Sequence, residues 1–208
     1  MSTSMSKTRT MVIIAMMSAV ATVIYFFDFN VPLMPGFIKL DLSNIISLIT
    51  GFSLGPVAGA AVCLIKNLIH LVIKGMGTTM GIGDIFDLVT SVTFCVTASL
   101  IYKHSRTFKG AVIGNIAGVL AFTAVSLPLN YFVTYPIYAK AFGGMEAIMG
   151  AYQAINPNVN TLFGALCLFN VPFTLVKGIL CAIVTMMLYK PLSPIIKGGR
   201  KDGTRQPA

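Results

Sequence analysis

The sequence predicts an all-α membrane protein of six transmembrane helices, and three observations predict it. Of its 208 residues, 56% are hydrophobic and only 10% charged, with a mean hydropathy of +0.85. A soluble domain normally carries about a quarter charged residues to cover its surface. The apolar residues gather into six runs. The formal charge of +9 is concentrated beside those runs, as the positive-inside rule produces.

The first run covers residues 11–27. Its basic lead-in and the Ala19-Val20-Ala21 triplet have the form of a secretory signal. The apolar stretch continues past that triplet and five more runs follow, which reads as an uncleaved first helix. Residues 27–40 are rich in Pro and aromatics, too broken for helix. The second run, 42–54, would cover about 20 Å against a hydrocarbon core of roughly 30 Å. It is therefore either sunk inside the protein or begins earlier. Gly55-Pro56 then marks a turn, with Pro placed for the first helical position of the third run, 57–73.

After a glycine-rich turn, Asp84 reads as the N-cap of the fourth run, 85–102. A basic connector, 103–109, leads to the fifth run, 110–138, where Pro128 and Pro136 predict a kink or a bent outer end. Residues 139–160 form a polar connection with a short amphipathic helix around 145–154. The sixth run, 162–189, is expected to end at Pro191 before a basic tail. The domain plan is a cytoplasmic N-terminal segment (1–10), a six-helix transmembrane domain (11–190) and a basic cytoplasmic tail (191–208).

Orientation follows from charge. Ten of the fifteen basic residues lie in the N-terminal segment, the 103–109 connector and the C-terminal tail. Lys39, Lys74 and Lys140 lie in the opposite-side segments. Both termini are thus expected in the cytoplasm. The clusters form no groove-spanning stripe with interleaved aromatics, which argues against nucleic acid as a partner. The four cysteines all sit apart inside apolar runs, without metal-ligand spacing, and read as packing residues.

Chemistry-bearing residues are few. Only two His and one Glu occur, with no nucleophile motif, no metal set and no phosphate-binding loop. Such a chain is expected to bind or carry rather than to catalyse. In a carrier, polar groups inside the spans are the leads, because placing them there is costly. Lys177, in Pro172-Phe173-Thr174-Leu175-Val176-Lys177-Gly178, stands one turn after Thr174 on the same face. Either it snorkels to an interface or it meets a ligand, and the ten or so apolar residues beyond it favour the ligand. Asn130 offers donors and an acceptor to a heterocycle or to a neighbouring helix. Asn67 faces a ligand or packs, beside a Lys66 that can pair with Asp84 or Asp87.

The segment 31–41 mixes Pro with Leu33, Met34, Phe37, Lys39, Leu40 and Asp41, and reads as an outer-side loop capping a ligand pocket. Ala15 and Ala19 make an A-x-x-x-A face on the first helix, and Gly110, Gly114 and Gly118 repeat that period on the fifth. Both faces permit close helix approach, within this chain or to another subunit.

Three stretches in order carry a family resemblance: Phe37-Ile38-Lys39-Leu40-Asp41-Leu42-Ser43, Gly51-Phe52-Ser53-Leu54-Gly55-Pro56-Val57-Ala58-Gly59 and Lys66-Asn67-Leu68. With Leu129-Asn130-Tyr131-Phe132, Pro136-Ile137-Tyr138, Pro172-Phe173 and Lys177-Gly178, the chain resembles the riboflavin-specific substrate-binding (S) subunit of energy-coupling-factor (ECF) transporters from about residue 15 to 189. The resemblance implies a cell-membrane subunit that binds riboflavin as transported ligand, with no cofactor. It also implies partners: a transmembrane coupling subunit, met by Ala15 and Ala19, and two ATPase subunits. Asn130 and Lys177 match residues that hold the flavin's polar end or ribityl chain; at Thr174 the family commonly has Asn.

Leu33, Met34, Phe37, Tyr131 and Tyr135 would supply apolar and aromatic walls for a flat ring. No Arg lies within the spans, which favours uncharged riboflavin over its nucleotides. A subunit for another vitamin (folate, biotin or thiamine) and a stand-alone ion-coupled carrier are the alternatives.

Overall fold

The structure is a computed structural model that describes residues 7–75 and 81–197, with side chains to residue 188. Most of the basic tail and part of the glycine-rich turn fall outside the described residues. In chain order the helices are α1 (Lys7–Phe26), α2 (Asn44–Leu54), α3 (Pro56–Lys74), α4 (Ile82–His104), α5 (Phe108–Leu129), α6 (Tyr135–Ala141), α7 (Met145–Gln153), α8 (Leu162–Ala165) and α9 (Val171–Lys197). A two-stranded ribbon, β1 (Phe29–Asn30) and β2 (Lys39–Leu40), pairs antiparallel between α1 and α2. The expected non-helical segment after α1 is therefore a short hairpin, bridged by Lys39 and Asp28 at 2.9 Å.

Among the described residues five helical stretches are long and apolar enough to cross a membrane: Lys7–Phe26, Pro56–Lys74, Ile82–His104, Phe108–Ala141 and Leu162–Leu188. The second apolar run forms α2, and the structure decides between its two readings. It does not begin earlier; nine of its eleven residues are buried, so it is sunk inside the protein. Its entry explains its length. The chain before it dips into the bundle until Ser43 and Asn44 reach Lys66, at the middle of α3. From that depth α2 needs to cover only about 16 Å.

Gly55, at φ 107°, makes the turn into α3, and Pro56 occupies the first helical position, where its missing N–H costs nothing. The Gly110, Gly114 and Gly118 stripe packs within the chain. A Cβ on Gly114 would lie 2.6 Å from the Ala98 carbonyl oxygen, and one on Gly118 would lie 2.8 Å from the Phe94 ring. Ala15 and Ala19 differ: both are exposed, while Ser18, Ala21 and Thr22 turn inward. Phe94 and Phe122 stack at 5.4 Å in the main core, between α4 and α5.

Two expectations need correction. The N-cap of α4 is Gly81 in a left-handed conformation, and Asp84 lies in the first turn with a partner of its own. Pro191 does not end α9, whose backbone runs on to Lys197; a proline withdraws one backbone donor and leaves the others. The kink expected near Pro128 and Pro136 takes the form of a π-helical segment, Asn130–Thr134, between α5 and α6. A second one, Leu166–Asn170, joins α8 to α9 just before Pro172.

Candidate functional site

Beneath the hairpin lies a cavity of about 370 Å³, inside the roughly 300–1,000 Å³ range of small-molecule sites. Each wall comes from a different element. Phe37, Lys39 and Asp41 descend from the segment that caps it, Asp84 and Asp87 from the start of α4, and Asn130 and Thr134 from the first π-helical segment. Tyr135 and Tyr138 come from α6, Asn170 from the second π-helical segment, and Thr174 and Lys177 from α9. Extra residues in a π turn widen the helix and re-aim side chains, which is why such segments recur at sites. Here both present an Asn to the same space.

At the cavity floor the charges are paired. Lys177 Nζ donates to Asp41 Oδ2 at 2.6 Å and lies 3.7 Å from Asp87 Oδ1. Lys66 Nζ stands 2.9 Å from Asp87 Oδ2 and donates to Ser43 Oγ at 2.6 Å. Ser43 closes the circuit, its Oγ and backbone N–H both donating to Asp41 Oδ1. Two ammonium groups and two carboxylates thus form a ring with no net charge, and all four side chains are at least nine-tenths buried. A buried charge is tolerated only when paired and hydrogen-bonded in this way.

The opposite wall is aromatic. Phe37 meets Tyr135, Tyr138 and Tyr152 edge-on at 5.9–6.1 Å. Behind it the Tyr135 and Tyr152 hydroxyls are hydrogen-bonded to each other. Tyr152 donates to Asn170 Oδ1 at 2.6 Å, and Asn170 Nδ2 donates to the Tyr135 oxygen at 2.8 Å. That closed triangle fixes the Asn170 amide in one orientation. Burial, with Tyr135 alongside, pushes the Tyr152 phenol far above its ordinary range, so it stays a neutral donor. On the third side His70 Nδ1 lies 2.5 Å from Asp84 Oδ1, under the rings of Tyr25 and Phe26.

The structure brings Phe37, Lys39, Asp41, Asn130, Tyr135, Thr174 and Lys177 to this one cavity. It places five other expected residues off the wall. Leu33 is 78% exposed in a left-handed turn, and Met34 packs in the aromatic cluster. Leu40 is buried beneath the hairpin. Asn67 donates to Asp87 Oδ2 at 3.1 Å and to the Cys63 carbonyl, so it serves the charge ring from behind. Tyr131 is 38% exposed and packs on Phe132 and Phe163. Of the two partners expected for Lys66, the structure selects Asp87; Asn170 and Thr134 were not read from the sequence. Asn170 stands in the same run as Thr174 and Lys177 at helical spacing, which was a usable signal.

The cavity is equipped to bind: it is lined by the fixed Asn170 amide, the Asn130 amide, hydroxyls and a paired ammonium, with aromatic rings alongside. Among the described residues no group of three or more His, Cys, Asp or Glu could hold a metal ion. Comparison with known proteins agrees with a binding role. The chain is 34% identical over 194 residues to riboflavin transporter RibU of Staphylococcus aureus (strain TCH60), covering 93% of this chain and 95% of that one. It is 26% identical to riboflavin transporter FmnP of Bacillus subtilis (strain 168), covering 93% and 97%. A solved structure described as the S component of a bacterial ECF transporter superposes with a TM-score of 0.72 at 31% identity, covering 92% of this chain and 99% of that one. A family model for the substrate-specific component of ECF transporters matches residues 9–189. The chain belongs to the family of ECF transporter substrate-specific components.

Proposed function

We propose that this chain is the riboflavin-binding subunit of an ATP-driven importer in the cell membrane. The observation that carries the reading is the cavity itself. It combines an aromatic wall (Phe37, Tyr135) that carries the fixed Asn170 amide with further polar groups (Asn130, Thr174, Lys177), and its charges are already balanced. A flat, uncharged, heteroatom-rich ring with a hydroxylated side chain matches that division. The relatives named as riboflavin transporters support the same ligand. Phe37, Lys39, Asp41, Asn130, Tyr135, Thr174 and Lys177 are the proposed contacts. Met34 and Leu40 support the cap, and Leu33, Asn67 and Tyr131 stand further from the ligand.

The segment that dips to mid-depth, taken with α2, completes a sixth crossing, which puts both termini on one side; the basic connector and tail assign that side to the cytoplasm. In this arrangement residues 1–10 and 191–208 flank a transmembrane domain of residues 11–190, and the cavity opens outward. The family implies a transmembrane coupling subunit and two ATPases as partners. The exposed Ala15 and Ala19 face on α1 is the proposed contact for the coupling subunit.

Mass spectrometry of the small molecule that copurifies tests the ligand. Riboflavin, visible as a yellow preparation, is the expected result. A colourless protein that fails to quench riboflavin fluorescence on titration rejects the assignment.

A further inference from the structure

On the outside of the bundle, α5 and α9 leave a groove of about 710 Å³ that shares no residue with the cavity. Its walls are bulky and apolar: Phe108, Ile116 and Leu120 on α5 face Ile179, Ile183 and Met187 on α9. From Phe108 to Leu120 the groove runs about 18 Å, close to one leaflet's share of a roughly 30 Å hydrocarbon core. One polar side chain lines it. Asn115 is 3% exposed, and neither its Nδ2 nor its Oδ1 has a hydrogen-bond partner among the described residues. An amide left unpaired at that depth is costly, and a ligand that pairs it gains accordingly.

The groove's mouth adds charge. The connector between α4 and α5 exposes Lys103, Arg106 and Lys109. No Asp or Glu occurs between Asp87 and Glu146, nor from residue 171 to 197. Asn115 lies six residues, about 9 Å, inside Lys109. A basic rim, an amide one step below it and an apolar channel one leaflet deep match the order of parts in a glycerophospholipid: phosphate, ester carbonyl and acyl chain. A partner's helix is less well matched, since close helix approach needs a stripe of small residues, and these walls are Ile, Leu, Met, Val and Phe with a single Ala, Ala182.

We propose that the α5–α9 groove binds one anionic phospholipid, its acyl chain along the groove, its ester carbonyl accepting from the Asn115 amide and its phosphate facing Lys103, Arg106 and Lys109. The site holds whichever leaflet the connector faces, because the basic rim and the groove lie at the same end of α5.

The test is native mass spectrometry of the full chain, delipidated in detergent and then offered phosphatidylglycerol or phosphatidylcholine. One phosphatidylglycerol per chain should be retained in preference to phosphatidylcholine. Replacing Lys103, Arg106 and Lys109 together by Gln should weaken retention on the order of a hundredfold, and Asn115→Leu by about fivefold. Ile183→Trp, which fills the groove from an exposed position, should abolish retention while leaving riboflavin affinity and thermal stability unchanged. Equal retention of the two lipids overturns the proposal. So does retention unaffected by both the triple replacement and Ile183→Trp. Cross-linking of Ile183→Cys to a partner subunit in the assembled transporter would assign the groove to protein and overturn it as well.

Discussion

Lys177 on α9 donates to Asp41 of the capping segment at 2.6 Å, joining two positions 136 residues apart in the chain. The pair ties the cap to the cavity floor, so the residue proposed to hold ligand also holds the cap. Lys177→Ala should therefore act twice. Riboflavin affinity, measured by fluorescence quenching, should fall by about 1.5–3 kcal/mol through loss of a charge-assisted hydrogen bond. Thermal stability should fall too, because Asp41 loses its nearest cation. Lys177→Met combined with Asp41→Leu should recover stability and leave binding impaired. Full recovery of binding in the double variant would remove Lys177 from the site.

Tyr152 does not line the cavity, yet it sits at a corner of the triangle that fixes Asn170. Tyr152→Phe removes a donor to Asn170 and a partner of Tyr135, and should cost about 1–2 kcal/mol of stability. Affinity should weaken because the Asn170 amide regains freedom to rotate. A crystal structure or calorimetry of the variant with ligand would read both effects, and unchanged affinity would confine Asn170 to a structural role.

Ala15→Trp with Ala19→Trp places two bulky rings on a face left exposed among the described residues. Riboflavin binding by the isolated subunit should persist, and uptake by cells carrying the whole transporter should be lost. Uptake that survives would place the coupling subunit elsewhere.

Gly114→Val addresses the α4–α5 seam, where even a Cβ would stand 2.6 Å from the Ala98 carbonyl oxygen. Overpacking of this kind costs typically about 1–3 kcal/mol, and a drop in melting temperature in detergent should report it.

The sequence carried the long elements because a transmembrane run has one strong signal, about twenty apolar residues, and because Gly55-Pro56 and the polar connectors punctuate the runs. Lys177, Asn130 and Asp41 were legible as site candidates for the same physical reason: polar groups in or beside apolar runs are expensive. What was hidden is pairing. Nothing local announces that Lys177 meets Asp41, or that Ser43 completes a circuit with Lys66, since those contacts arise only when four elements converge. Position within a helix turn was also misleading. Tyr131 looked like a wall because it adjoins Asn130, but neighbours on a helix point about 100° apart, and Tyr131 turns outward. Asp84 looked like a cap because it begins the apolar run, whereas Gly81 starts the helix earlier and frees Asp84 for His70.

The two π-helical segments each insert a spare residue at the level of the cavity, and so each sets a rotational phase. Removing one residue from 130–134 would restore an ordinary helix and keep its reach almost unchanged, yet everything beyond would swing by about 100°. Tyr135 and Tyr138 would then face away from Phe37, and the Asn170 triangle would come apart. A loop such as 154–160 can absorb a one-residue change in length; these two stretches are held to an integer count, and single-codon deletions there should abolish ligand capture in a protein that still inserts and folds.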